Sequence, residues 1–293
     1  MRNATTKDLH ALISTLSDAP TPPAELSPVG GGDTHQAWRL TLRGEAFFLK
    51  VNQHDKLPLL RAEAHALQTL HQADSPLHIP RPLACGRCGA LAGLLMEQLD
   101  ISSHGPHGSE AGRALALLHR NTAAYFGFTQ DNFIGGNVQK NTPEQDWVRF
   151  FAAHRLGFQR DLAAHRGARP GTLRKVDKVI EKLGDFFGDY RPAASLLHGD
   201  LWAGNAATLR DGRATLFDPA SYYGDRETDL AMSELFGGFS ADFYHAYEAS
   251  WPPDPGYARR RPVYQLYHVL NHFNLFGGHY QQQADALCEQ ALA

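Results

Sequence analysis

The sequence predicts an α+β chain in two unequal lobes: a small antiparallel-sheet lobe over residues 1–99 and a larger, mainly helical lobe over residues 100–293. Three observations point to it. The front third holds paired β-like runs separated by turn signals. At Leu99 the texture changes to a polar, Gly- and His-rich stretch, Asp100 to Gly108. Beyond it, apolar residues recur at helical spacing, interrupted by one hairpin-like stretch.

The elements follow in order. Thr6 to Leu16 reads as a short helix, closed by the Pro-rich run Asp18 to Pro23. Ala37 to Leu42 and Ala46 to Val51 read as strands, with Arg43-Gly44-Glu45 as the turn between them. A helix from about Pro58 to Gln72 carries Leu60, Ala64, Leu67 and Leu70 on one stripe. A second strand pair is expected around Leu83 to Cys85 and Leu91 to Met96, with Gly86-Arg87-Cys88-Gly89 at its turn. Helical patterns then run over Glu110 to Arg120, Glu144 to His165, Thr172 to Phe187, Asp229 to Phe236 and Val263 to Phe276. Asn205 to Phe217 reads as a hairpin with Asp211-Gly212 at its turn.

Composition excludes several classes. Hydrophobic residues are 43% and charged residues 20% of 293, which suits a soluble globular protein. A net charge of −3 offers no basic field for nucleic acid or an anionic membrane. Even the longest apolar runs are short, such as Ala46 to Leu49, so no transmembrane helix is expected, and the first 20 residues lack a signal peptide's apolar segment. Three Cys argue against a disulfide scaffold and suit a reducing, cytoplasmic setting. Nothing in the sequence signals an oligomeric state.

The chemistry concentrates in His198-Gly199-Asp200-Leu201-Trp202-Ala203-Gly204-Asn205, followed by Asp218-Pro219-Ala220. Taken singly, each residue reads first as part of a turn. Together, an Asp, an Asn five residues on and an Asp beyond a hairpin have the spacing used for phosphoryl transfer. A hydroxyl attacking a γ-phosphate must lose its proton, so Asp200 is the expected base. Mg²⁺ takes oxygen ligands, so Asn205 and Asp218 are the expected metal ligands. Lys50 lies in an apolar strand and Glu63 on the buried stripe of the next helix; each charge needs the other, unless both reach solvent at a frayed edge. Paired, they would set an ammonium on the α/β-phosphates of ATP. Gly30-Gly31-Gly32 precedes the first strand run and could face phosphate through its amides, with Gly31 and Gly32 the expected contacts; alone it is an ordinary Gly-rich loop. Met96-Glu97-Gln98-Leu99 at the lobe boundary is either a hinge whose backbone groups take adenine or a plain connector.

These residues resemble a known family. Leu196 to Asn205 is similar to the catalytic loop of the fructosamine (ketosamine) kinases, relatives of aminoglycoside phosphotransferases within the protein-kinase-like fold. The likeness continues through Phe217-Asp218-Pro219-Ala220-Ser221-Tyr222-Tyr223-Gly224-Asp225 to Met232, through Leu235 to Phe239 and through Tyr264 to His272. It also takes in Gly30 to Ala37, Gly127-Phe128 and Asn132 to Gly135. The resemblance implies an ATP- and Mg²⁺-dependent kinase acting on the sugar 3-hydroxyl of small or protein-bound ketosamines, promoting deglycation. Gly199 stands where protein kinases carry Arg, and Asp218-Pro219-Ala220 replaces Asp-Phe-Gly, which favours a small acceptor over a folded protein surface. Three alternatives stay open: another small-molecule kinase of the aminoglycoside, choline or homoserine type, a nucleotide-binding scaffold without turnover and, last, a metal-binding His protein.

Several residues are ambiguous. Trp202 either lines the acceptor pocket or packs under the loop. Asp229 reads as a helix N-cap, or as a group that lines the substrate pocket or braces the catalytic loop. His268 and His272, one turn apart, suit the rim of the acceptor cleft or the core better than a metal, and His268 is the expected substrate contact. Cys85-Gly86-Arg87-Cys88 reads as a plain turn with redox sensitivity open. Arg259-Arg260-Arg261 reads as a solvated face.

Overall fold

The computed structural model describes residues 5–17, 23–30, 35–105 and 108–293. The nucleotide-loop residues Gly31 and Gly32 lie outside them.

The front lobe opens with α1 (Thr6–Ser17), followed by β1 (Glu25–Val29), β2 (Gln36–Leu42) and β3 (Glu45–Gln53). Helix α2 (Leu57–His71) and strands β4 (Pro82–Cys88) and β5 (Leu91–Glu97) complete it. The five strands form one antiparallel sheet in the order β1-β2-β3-β5-β4. Arg43 (φ 52°) and Gly44 (φ 84°) are both left-handed, the geometry a two-residue hairpin turn of this twist requires. Alternation along β3 builds two cores. Leu49 and Val51 join Leu9, Leu12 and Ile13 of α1 on one face. Lys50 points to the other face, where Leu94 and Met96 meet Leu60, Leu67 and Leu70 of α2. Strand β1 was not expected: it is an edge strand with Pro28 and no buried residue, so it has no alternating pattern.

Strand β4 corrects the turn proposed at residues 86–89. Gly86 to Cys88 pair with β5, and the turn falls at Gly89 (φ 57°). Cys85 and Cys88, three apart on a strand, face opposite sides and pack into different cores, so this C-x-x-C is not a disulfide pair.

The polar stretch after Leu99 is not only a connector. It forms β6 (Ile101–His104), which pairs with a strand of the catalytic hairpin described below. Then follow α3 (Ser109–His119), β7 (Thr122–Ala123), β8 (Asn132–Ile134) and β9 (Asn137–Gln139). The single helix expected over 144–165 is instead α4 (Trp147–Phe150), a π-helical turn (Phe151–Gly157) and α5 (Phe158–His165). Next come α6 (Pro170–Glu181), β10 (Ala194–Leu196), the hairpin β11 (Ala206–Leu209) and β12 (Ala214–Leu216), and β13 (Tyr223–Gly224). Helices α7 (Glu227–Leu235), α8 (Ala241–Ser250), α9 (Tyr257–Phe276) and α10 (Tyr280–Leu292) end the chain. Strand β6 pairs with β11.

Helix α9 starts earlier than expected, with Pro262 inside it. Its early turns carry Arg260, which is buried rather than on a solvated face: it binds Glu227 at 2.8 Å and Asp254 at 2.7 Å. The helical lobe's core joins Trp147, Phe150, Phe151, Tyr222, Tyr264 and Leu270. No helix among the described residues is long and apolar enough to cross a membrane.

Candidate active site

A crevice of about 930 Å³ separates the lobes. Its walls include Lys50, Glu63 and Met96 to Leu99 from the front lobe, with Asp200, Trp202, Asn205 and Asp218 from the helical lobe. The sequence-expected chemistry therefore converges in one place.

The loop after β10 owes its shape to Gly199 and Asp229. Gly199 has φ 84°, and a Cβ there would lie 2.1 Å from Ala220 O, so only glycine lets the two loops approach so closely. Asp229, buried on α7, accepts from the amides of His198 at 2.7 Å and Gly199 at 2.9 Å. It also faces His119 Nε2 at 3.2 Å. Arg226 donates to Tyr247 Oη at 3.0 Å, and that hydroxyl meets His119 Nδ1 at 2.7 Å. Burial holds His119 below its ordinary pKa, so it is neutral, and its one N–H, on Nε2, donates to the Asp229 carboxylate. Burial alone would raise Asp229, but the His119 bond and the loop amides outweigh it and keep the carboxylate below its usual range. Asp229 is thus neither an N-cap nor a wall of the crevice. It braces the catalytic loop.

The second loop locks onto the first. Ala220 N donates to His198 O at 2.9 Å, and Phe217 N to Asn205 O at 3.0 Å. Asn205 Nδ2 donates to Asp200 O at 3.0 Å and to Asp200 Oδ2 at 3.2 Å. Asp218 has φ 57°, a strained value for a non-glycine residue that these bonds enforce. Burial, then the Asp218 charge, pushes the Asp200 carboxyl up to about 7.

Lys50 Nζ lies 2.6 Å from Glu63 Oε1 and also contacts Asp218. Burial would depress its pKa, but the two carboxylates more than offset this, so it stays an ammonium well above the ordinary lysine range. The Asp218 carboxylate is 46% exposed to the crevice, and Asn205 Oδ1 accepts no bond among the described residues. That oxygen pair suits a hard cation completed by ligands from a phosphate. No cluster of three or more acidic, His or Cys side chains among the described residues could hold an ion alone.

At the lobe junction the hinge expectation narrows. The Glu97 amide donates to Arg81 O and its side chain faces His78, while the amides of Gln98 and Leu99 have no protein acceptor among the described residues. Gly30 and His35 line the crevice, and burial holds His35 neutral, near 4. Trp202, 41% exposed, does line the crevice. His268 does not: it is buried, one turn below the wall, whereas Asn271 and His272 reach it. His272 Nδ1 lies 2.8 Å from the His268 carbonyl, and the two rings belong to no group of three or more His, Cys or acidic side chains among the described residues that could hold a metal ion. The sequence reading gives no role to Asn271, His35 or the His119 relay: Asn271 and His35 stand inside stretches of family likeness but are assigned nothing there, His119 stands in none, and packing brings all three to the site.

A sequence model described as fructosamine kinase matches residues 5–293. A Synechocystis protein assigned as a ketoamine kinase is 42% identical over 283 residues, covering 96% of this chain and 94% of its own. A crystal structure of a Thermobifida fusca protein assigned as a fructosamine-3-kinase superposes with a TM-score of 0.85 at 32% identity, covering 99% of each chain. The aminoglycoside phosphotransferase APH(4)-Ia, at 16% identity and TM-score 0.67 over 98% of this chain and 99% of its own, shares the fold, which is protein-kinase-like.

Proposed function

The chain belongs to the fructosamine kinase family, and from that premise we propose that it transfers the γ-phosphate of ATP to the 3-hydroxyl of a ketosamine's sugar, so promoting loss of the adduct. One observation carries the reading: Lys50 on a sheet strand touches both Glu63 and Asp218, and the loop bearing Asp218 locks onto the loop bearing Asp200.

In this reading Lys50 holds phosphate oxygens and Glu63 keeps its ammonium in place. Gly31 and Gly32 would cover the phosphates, and the Gln98 and Leu99 amides would take the base. Asn205 and Asp218 would hold Mg²⁺, which when bound neutralises charge on the phosphates. Asp200 orients the acceptor hydroxyl and accepts its proton, and its raised pKa keeps it a competent base at neutral pH. Trp202 offers a ring face to the sugar. The residues 98–100 act as the hinge between lobes.

The acceptor end of the crevice disfavours a polycation. Of the carboxylates lining the crevice among the described residues, Glu63 is tied to Lys50, Glu97 to His78 and Asp218 to Lys50, which leaves Asp200 alone. An acceptor rich in hydroxyls and poor in charge fits this wall better than an aminoglycoside. The test is ADP release with synthetic ketosamines of fructose, ribulose and erythrulose beside aminoglycosides and choline. Mg²⁺-dependent turnover of a ketosamine is expected. Turnover confined to aminoglycosides or choline would overturn the reading, as would a Mg²⁺·ATP shift in Tm with no phosphorylated product.

A further inference from the structure

One polar side chain on the crevice wall has no role in the chemistry above. Asn271, on α9 and 2% exposed, lines the crevice with Asp200, Trp202 and His272. Its Oδ1 accepts from Asn137 Nδ2 at 2.9 Å and from Gln159 Nε2 at 3.2 Å. Its Nδ2 donates to nothing among the described residues, yet it is not sealed from solvent, and the solvent this residue reaches is the crevice.

A side-chain amide can turn over, so its direction needs an anchor that cannot. Asn274 Nδ2 donates to the backbone carbonyl of Gln159 at 2.9 Å and to Gln159 Oε1 at 2.7 Å. A carbonyl oxygen only accepts, so Asn274 must present its NH₂. Gln159 Oε1 therefore accepts, Gln159 Nε2 is left to donate, and the Asn271 atom it meets must be Oδ1. The NH₂ of Asn271 is left for the crevice. Gln159 and Asn274 are both buried, which keeps water from competing for these bonds. The π-helical turn ends two residues before Gln159; its wider winding sets which face of α5 turns toward α9.

We propose that Asn271 is a fixed hydrogen-bond donor that reads a hydroxyl oxygen of the phosphoryl acceptor, and that Gln159 and Asn274 are positioning residues that hold it in the donating sense. This rests on the acceptor class proposed above. A fixed NH₂ pairs with oxygen and leaves an ammonium without a partner, so it reads the sugar part of the acceptor and not the amine.

Asn271→Asp is the decisive variant. It is isosteric, and both carboxylate oxygens accept, so the bonds from Asn137 and Gln159 persist while the donor is lost. Acceptor kcat/KM should fall about tenfold to a hundredfold, with the KM for ATP unchanged. Across a series of monodeoxy acceptors, one should be disfavoured as strongly by the wild type, and on that one N271D should cost nothing more. Gln159→Glu presents an acceptor to Asn271, turns its amide over and should reproduce the N271D pattern without touching substrate. Wild-type kcat/KM in N271D on every acceptor would overturn the proposal, as would an equal loss on all deoxy acceptors. If the wild type phosphorylates another polyol and no ketosamine, the proposed function falls and the same comparison on that polyol judges Asn271. If it phosphorylates no acceptor, both fall.

Discussion

At neutral pH Asp200 is expected to cost the protein stability in exchange for activity, and Asp200→Asn separates the two. Burial and the neighbouring Asp218 charge raise its carboxyl to about 7, against about 3.9 in an unfolded chain. The sign follows from linkage. Below pH 4 the group is protonated folded and unfolded, and contributes nothing. As pH rises toward 7 the unfolded chain loses the proton first, so the folded state loses ground until both forms are ionised. A shift of about three units corresponds to roughly 4 kcal/mol, and partial solvent access lowers this to about 2–3 kcal/mol. An asparagine keeps the shape without the charge. Ligand-free D200N should match the wild type in Tm near pH 4 and exceed it by several degrees at pH 8, while kcat falls by about 10²–10⁴. The assay is thermal unfolding across pH on both proteins, paired with ADP release at saturating Mg²⁺·ATP. Parallel Tm–pH curves would refute the electrostatic account, and retained kcat would refute the base assignment.

Other variants test the surrounding parts. Asp229→Asn should cost about 2–4 kcal/mol in urea unfolding, because an amide turns an NH₂ toward a loop N–H it should accept from; its carboxylate's contribution is present above pH 4 and lost as pH falls through its lowered pKa, so wild type and variant should converge in acid. Gly199→Ala must hold a left-handed φ, at a cost of about 1–2 kcal/mol, and push against Ala220 O; kcat should fall with little change in ATP affinity by calorimetry, and an unchanged kcat would count against the close approach of the two loops. Lys50→Ala should lower kcat by at least about tenfold through lost phosphate positioning, with Glu63→Gln intermediate; equal activity in all three proteins would remove the pair from the mechanism.

Much of the site was legible because its residues sit in sequence-local units. Asp200, Asn205 and Asp218 span one loop and one hairpin, and Lys50 and Glu63 betray themselves as charges on apolar surfaces. What the sequence hid depends on distant packing. Asp229 reads as an N-cap because its neighbours start a helix, whereas its partners are backbone amides thirty residues away. His268 and Asn271 carry no local mark of which one faces the crevice; a helix rotation of less than one turn decides it. Strand β6 hid in a polar stretch because its partner, β11, lies about a hundred residues on.

The three cysteines have a consequence for how the chain could be watched as it assembles. Cys85 packs on the α2 side of the sheet, Cys88 on the α1 side and Cys288 in the helical core. Each apolar nucleus thus carries its own sulfur. Brief alkylation at intervals during refolding, followed by peptide mass analysis, would time the closure of each nucleus separately in the unaltered protein.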